Sequence, residues 1–165
     1  MITAKTPWKN YMGDVPMQLD YFEGAMIEGI ETTAKKFPSY VAFDFMGKAT
    51  TYAQLVREIE ICAKSLKTLG IRPGDKITIA MPNCPQAIYM FYAVNRVGAI
   101  ASMIHPLSAE KEIEFYLNDS GSVAAITLDQ FYWKFANIRK NTGIQNLIIT
   151  SVADALSPVM KVGYA

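Results

Sequence analysis

The residues of this sequence that could do chemistry are few and scattered. One histidine, His105, stands directly before Pro106 and closes an apolar run. The proline holds its backbone extended, as at the carboxyl end of a strand. An imidazole there can act as a base, face a ligand, or bond a backbone carbonyl, and the local residues leave all three open. No serine or cysteine in a nucleophile context goes with it, and no G-x-S-x-G elbow occurs. The two cysteines, Cys62 and Cys84, are far apart and lack ligand spacing. With a single histidine, no metal site is expected. Asp44 and Asp75 have no paired carboxylate near them in sequence. "RPGD", Arg72 to Asp75, reads as a tight turn feeding a strand. "DSGSV", Asp119 to Val123, is the nearest Gly/Ser loop, but it precedes a strand, whereas a phosphate cradle follows one and opens a helix. Neither G-x-G-x-x-G nor G-x-x-x-x-G-K-[ST] is present. These residues therefore assign no catalytic and no metal-ligating group, and leave cofactor-binding residues unknown.

The elements that would position such groups are easier to read. A chain of 165 residues fits one domain and can bury a core without staples. Hydrophobic residues make up 51% and charged residues 19%, with a net charge of +1 and scattered basic residues. That gives no footprint for nucleic acid and no polybasic patch for a membrane. The longest apolar stretch, Ala87 to Ile104, is interrupted by Asn95 and Arg96. An arginine at a helix centre costs about 3 kcal/mol on insertion, so no transmembrane segment is expected. The start, "MITAKTPWKNYMGD", has no apolar leader core. Two isolated thiols without such a leader point to a reducing, cytoplasmic setting.

Along the chain, residues 1–20 read as an irregular arm, 21–150 as an α/β body, and 151–165 as a weakly organised tail. The body opens on a helix capped by Asp20, with Phe22, Met26, Ile27, Ile30 and Ala34 at helical spacing before Pro38. "YVAFDFMGKATTY" follows as a hairpin turning at Gly47-Lys48. Thr51 then caps a helix whose buried stripe is Leu55, Ile59, Ala63, Leu66 and Leu69, with Gly70 at its end. Thereafter short apolar strands ("KITIAM", "AIASMI", "VAAITL", "NLIIT") alternate with helices ("PQAIYMFYAVNRVG", "SAEKEIEFYLNDSG" from Ser108, "DQFYWKFANIRKNTG"). Wholly apolar strands between helices mean βαβ units and an open, mostly parallel sheet with helices on its faces. The Pro85–Val97 helix is apolar almost all round. Such a helix needs cover on both sides; in this chain the second side is expected to lie bare and to drive self-association, as a dimer through the Pro85–Val97 helix or its neighbours.

Read together, these pieces resemble the start of an adenylate-forming enzyme of the acyl-CoA synthetase type. "ATTYAQLVREIEICAKSLKTLGI" is similar to the family's first core motif, with Thr51, Tyr52 and Leu55 in place. "GIRPGDKITIAMPNCPQAIYMFYAV" resembles the following turn, strand and Pro-Asn step, at Gly74, Asp75, Pro82 and Asn83. "NRVGAIASMIHPLSAEKEI" resembles the second core motif, with Gly98, Ala99, Pro106 and Glu112, and "FYLNDSGSVAAIT" the next helix-to-strand step. His105 departs from the pattern, since relatives commonly carry Asn before the Pro. The resemblance covers about residues 20 to 150. It implies the first part of the large N-terminal domain of an ATP-dependent acid–thiol ligase. The complete enzyme would use ATP, Mg²⁺ and coenzyme A on a fatty or other carboxylic acid. The family's phosphate loop, ribose-binding acid, hinge and catalytic lysine would lie beyond Ala165. No residue here inherits those roles, so this piece alone is expected to be inactive and to hold no cofactor. The alternative is a short noncatalytic α/β binding module.

Overall fold

The computed structural model describes residues 7–16 and 18–164. After a 3-10 turn at Pro7–Tyr11 come a helix, Met26–Lys36 (α1), a hairpin of Val41–Phe45 (β1) and Lys48–Thr51 (β2), and a long helix, Tyr52–Thr68 (α2). Strands and helices then alternate: Lys76–Ala80 (β3), Pro85–Arg96 (α3), Ile100–Met103 (β4), Glu110–Ser120 (α4), Ala124–Leu128 (β5), Tyr132–Ile138 (α5) and Asn146–Thr150 (β6). A 3-10 turn at Val152–Ala155 and a helix, Pro158–Tyr164 (α6), follow, so the tail carries more structure than its sequence suggests.

The expected open parallel sheet is present, in the order β4-β3-β5-β6, with every pair parallel. Its strands alternate their side chains between two cores. Ile77, Ile79, Ala124, Ile126 and Leu128 face α2 and α3, while Ala80 and Ala125 face α4 and α5. The helix after β3 thus lies on the opposite face from the helices after its two neighbours. The sheet direction reverses at β3, and a crevice opens at the carboxyl ends of the strands there.

Three helices hand the chain to the next strand through one device. After α2, α3 and α4, a glycine with positive φ (Gly70, Gly98, Gly121) donates its N–H to the carbonyl three residues back. The residue after it donates to the carbonyl five back: Ile71 to Leu66, Ala99 to Val94, Ser122 to Leu117. This is the Schellman closure, which satisfies otherwise orphan carbonyls at the helix end. All three sit at the amino end of the sheet.

Four expectations need correction. First, α1 starts at Met26 rather than after Asp20. Gly24 is a poor helix former, and the Phe22 ring folds over it, 2.5 Å from where a Cβ would stand. The Glu28 side chain caps the start by accepting from the Ala25 N–H at 3.2 Å. Second, α4 is closed the same way, with Glu112 accepting from the Ala109 N–H at 3.0 Å, so Ser108 is not its cap. Third, the hairpin turns one residue earlier, at Met46-Gly47. Both residues have positive φ, and Asp44 Oδ1 accepts from the Gly47 N–H at 3.0 Å. Fourth, Leu69 lies beyond the end of α2 and is 44% exposed, although Leu55, Ile59, Ala63 and Leu66 are buried as expected.

The second side of α3 is not bare. Tyr89 and Phe91 are half-buried, and the Phe43 ring lies 6.2 Å from that of Tyr89. The covering layer is supplied by α1, α2 and the hairpin. Asn95 and Arg96, the polar pair interrupting the apolar run, serve this contact. Asn95 Oδ1 accepts from the Ile27 N–H at 2.9 Å, an orphan donor at the start of α1, and Arg96 pairs with Glu31.

Candidate functional site

The loops after β3, β4 and β5 meet over the reversal point and enclose a cavity of about 540 Å³. Met81, Pro82 and Asn83 come from the first loop, Met103 to Leu107 from the second, and Phe131 from the third. His105 therefore stands where its sequence placed it, past the carboxyl end of β4, and is exposed. Its Nδ1 accepts from the Leu107 N–H at 3.2 Å. That bond holds the ring and leaves Nε2 as the protonated nitrogen of the neutral form. Buried Pro106 fixes the loop from below. His105 also lines a second cavity of about 330 Å³ beside Ser102, Ser108, Tyr116 and Asp119.

Lys134, which the sequence did not single out, braces this loop. From α5 its ammonium donates to the carbonyls of Leu107 at 3.1 Å and Ser108 at 2.8 Å. The only sign of it in sequence is a lysine in the first turn of a helix, where a cation opposes the helix dipole. The contact spans 26 residues and depends on how α5 packs.

The other singled-out residues do local structural work. Asp75 Oδ2 accepts from the Arg72 N–H at 2.7 Å and closes the "RPGD" turn. In Asp119–Val123, the Ser122 hydroxyl lies 2.7 Å from that of Thr78 and 2.8 Å from that of Ser120, a buried chain that locks the end of α4 to β3. Neither thiol is a nucleophile at neutral pH. Burial, with Glu58 nearby, pushes Cys62 up to about 11, and burial pushes Cys84 up against hydrogen bonds from the backbone of Ala87 and Gln86. Among the described residues, no group of three or more His, Cys, Asp or Glu could hold a metal ion. A further cavity, of about 370 Å³, lies between the hairpin, α2 and α3. Gln86 at its wall donates from Nε2 to the Ser151 carbonyl at 2.7 Å.

A doubly wound parallel sheet with a loop-built crevice at its reversal point defines an α/β fold that places ligands at the strand carboxyl ends. The chain belongs to the AMP-binding enzyme family, whose profile matches residues 30–161. It is 30% identical to a long-chain-fatty-acid–CoA ligase of Bacillus subtilis over 93% of this chain and 28% of that protein. It is also 26% identical to triostin synthetase I of Streptomyces triostinicus, over 99% of this chain and 32% of that one. Among solved structures, a Mycobacterium tuberculosis fatty acyl CoA synthetase superposes with a TM-score of 0.71 at 28% identity, over 79% of this chain and 27% of that one. A long-chain-fatty-acid-CoA ligase from Archaeoglobus fulgidus, with a TM-score of 0.75 at 21% identity over 83% and 30%, shows the fold alone. The chain thus spans less than a third of the length of the curated relatives it matches.

The crevice residues do not fit a nucleoside triphosphate with its Mg²⁺. No Lys or Arg lines the cavity to neutralise phosphate, and no carboxylate lines it to hold the ion. Lys134, the nearby cation, is committed to two carbonyls.

Proposed function

We propose that this chain is the N-terminal part of an acyl-CoA synthetase. The complete enzyme would activate a carboxylic acid with Mg²⁺-ATP to an acyl-adenylate and pass the acyl group to coenzyme A. A fatty acid is the favoured substrate, because relatives matching over 93% of this chain are named long-chain-fatty-acid–CoA ligases. One observation carries the proposal: the family match runs in order from α1 through β6, while the crevice it builds has no cationic lining for phosphate. The isolated chain is therefore inactive and holds none of the three cofactors. It has no catalytic residue of its own, and it works in the cytoplasm. Among the described residues, no helix is long and apolar enough to cross a membrane. Self-association remains part of the proposal, on a surface other than α3.

Carboxylate-dependent pyrophosphate exchange on the purified chain is expected to stay at background. Clear turnover would overturn the proposal. The coding sequence past Ala165 is a second check. A Ser/Thr/Gly-rich stretch ending in Pro-Lys-Gly within a few tens of codons supports the synthetase, and a stop codon favours a noncatalytic binding module.

In the complete enzyme, His105→Asn is expected to keep activity within about tenfold, or about 1.4 kcal/mol of barrier. Its ring bonds a backbone N–H of its own loop, and asparagine can take over that acceptor. A loss of several orders of magnitude would make His105 catalytic.

A further inference from the structure

Among the described residues, the outer edge of β4 has no strand beside it. The N–H groups of Ile100 and Ile104 turn inward to the carbonyls of Asp75 and Ile79. Because strand backbones alternate, those of Ala101 and Met103 turn outward, with their carbonyls. Nothing in Ile100–Met103 protects this edge. It has no charge, no proline and no bulge, the usual means of blocking strand addition. The other edge, β6, is partly tied down. Asn146 Nδ2 reaches the Leu69 carbonyl at 3.5 Å, and the Arg139 guanidinium holds the Gln145 carbonyl at 2.7 Å.

Several large apolar side chains stand out around β4. Met103 shares one cavity wall with Leu107 and another with Tyr116, and Phe115 packs edge-on against Tyr116 with ring centroids 5.8 Å apart. Ile100, Met103, Leu107 and Phe115 are each more than half exposed. Side chains of that size offer roughly 500 Å², which with the strand backbone approaches the about 800 Å² per partner of a standard interface.

We infer that a second copy of this chain occupies this edge, its β4 running antiparallel to the first to make one continuous eight-stranded sheet. The strand's geometry selects the register. An isologous pairing must keep side chains on matching faces and use the outward-facing residues. Ser102 on the two-fold axis meets both demands and, unlike an axis through Ala101 or Met103, pairs both outward residues of the strand with each other. Ala101 of each copy then exchanges hydrogen bonds with the other copy's Met103, and Ile100 packs across from the other copy's Ile104. This interface rests on the self-association proposed above and gives it a location.

Sedimentation equilibrium across a concentration series, with amide exchange on the same samples, tests it. The expected result is a dimer in which the Ala101 and Met103 amides become protected as concentration rises. Met103→Pro removes an outward N–H and leaves the bonds to β3 untouched, which an edge position tolerates. It should weaken dimerisation at least about tenfold, while Met103→Leu behaves as the parent. An unchanged circular dichroism spectrum for Met103→Pro separates lost pairing from lost fold. A chain that stays monomeric throughout overturns both this interface and self-association, leaving the edge to another segment of the fold. A dimer indifferent to Met103→Pro, or one with the Ala101 amide unprotected, keeps self-association and overturns this surface.

Discussion

Phe135→Ala is expected to remove about 4 kcal/mol of stability. Phe135 is fully buried and heads the described core residues by size. Among the described residues it is also the only buried aromatic in the core between the sheet and α4–α5, where it packs among Ala80, Ile113, Leu117, Ala125, Ile138 and Ile144. The core on the other face is larger and draws on α1, α2 and α3, so a cavity there has more neighbours to relax into it. The thin layer has few, which keeps the cost away from the low end of aromatic truncations. Against a total of about 5–15 kcal/mol, the variant should be close to unfolding at 37 °C. Urea denaturation checks this, with Phe135→Leu, a smaller truncation expected to lose clearly less than the alanine variant, as the comparison. A loss under about 1 kcal/mol for the alanine variant would mean the layer repacks freely.

Gly98→Ala is expected to cost about 2–3 kcal/mol, and Gly121→Ala only about 1–2 kcal/mol. Both glycines close a helix with positive φ, 75° and 64°, so both variants carry the left-handed penalty. They differ in what surrounds them. A Cβ at Gly98 would stand 3.2 Å from the Cβ and 3.6 Å from the Cα of Pro73, whereas one at Gly121 meets nothing within 4 Å. Pro73 cannot easily give way. The carbonyl of Gly98 accepts from the N–H of Gly74 at 2.8 Å and holds the two turns together. Urea midpoints of the two variants, measured side by side, decide. Equal losses would show that the Pro73 contact contributes nothing.

The sheet and its helices were legible because their signals are local. Apolar strands of four or five residues, glycines at helix ends and Thr51 as a cap all act within one element and its neighbour. The misplacements share a cause too. At Ala25 and Ala109 the capping is done by a glutamate three residues inside the helix, so Asp20 and Ser108 looked better in sequence than they are. Met46 takes a positive φ that its side chain disfavours, because Asp44 and the β1–β2 register impose it. Much of the cover of α3 comes from elements far away in sequence, as the Asn95 to Ile27 bond shows with its separation of 68. The candidate site divides the same way. His105 was placed by Pro106, its neighbour, while the Lys134 brace and the Gln86–Ser151 bond depend on tertiary packing.

The three glycine closures at the amino end of the sheet have a consequence for how such a chain can diversify. Each is satisfied by backbone groups within five residues, so that end of the molecule is folded by rules that leave almost no choice of residue at its glycines. The loops at the opposite end carry the crevice, and there only Pro106 is deeply buried in the stretch from His105 to Ser108. Tolerance to substitution is therefore polarised along the strand axis. A library randomised at Asn83, His105 and Leu107 should return mostly folded members, while one randomised at Gly70, Gly98 and Gly121 should return few. A lineage built on this plan can alter what it recognises at one pole while inheriting its foldedness from the other.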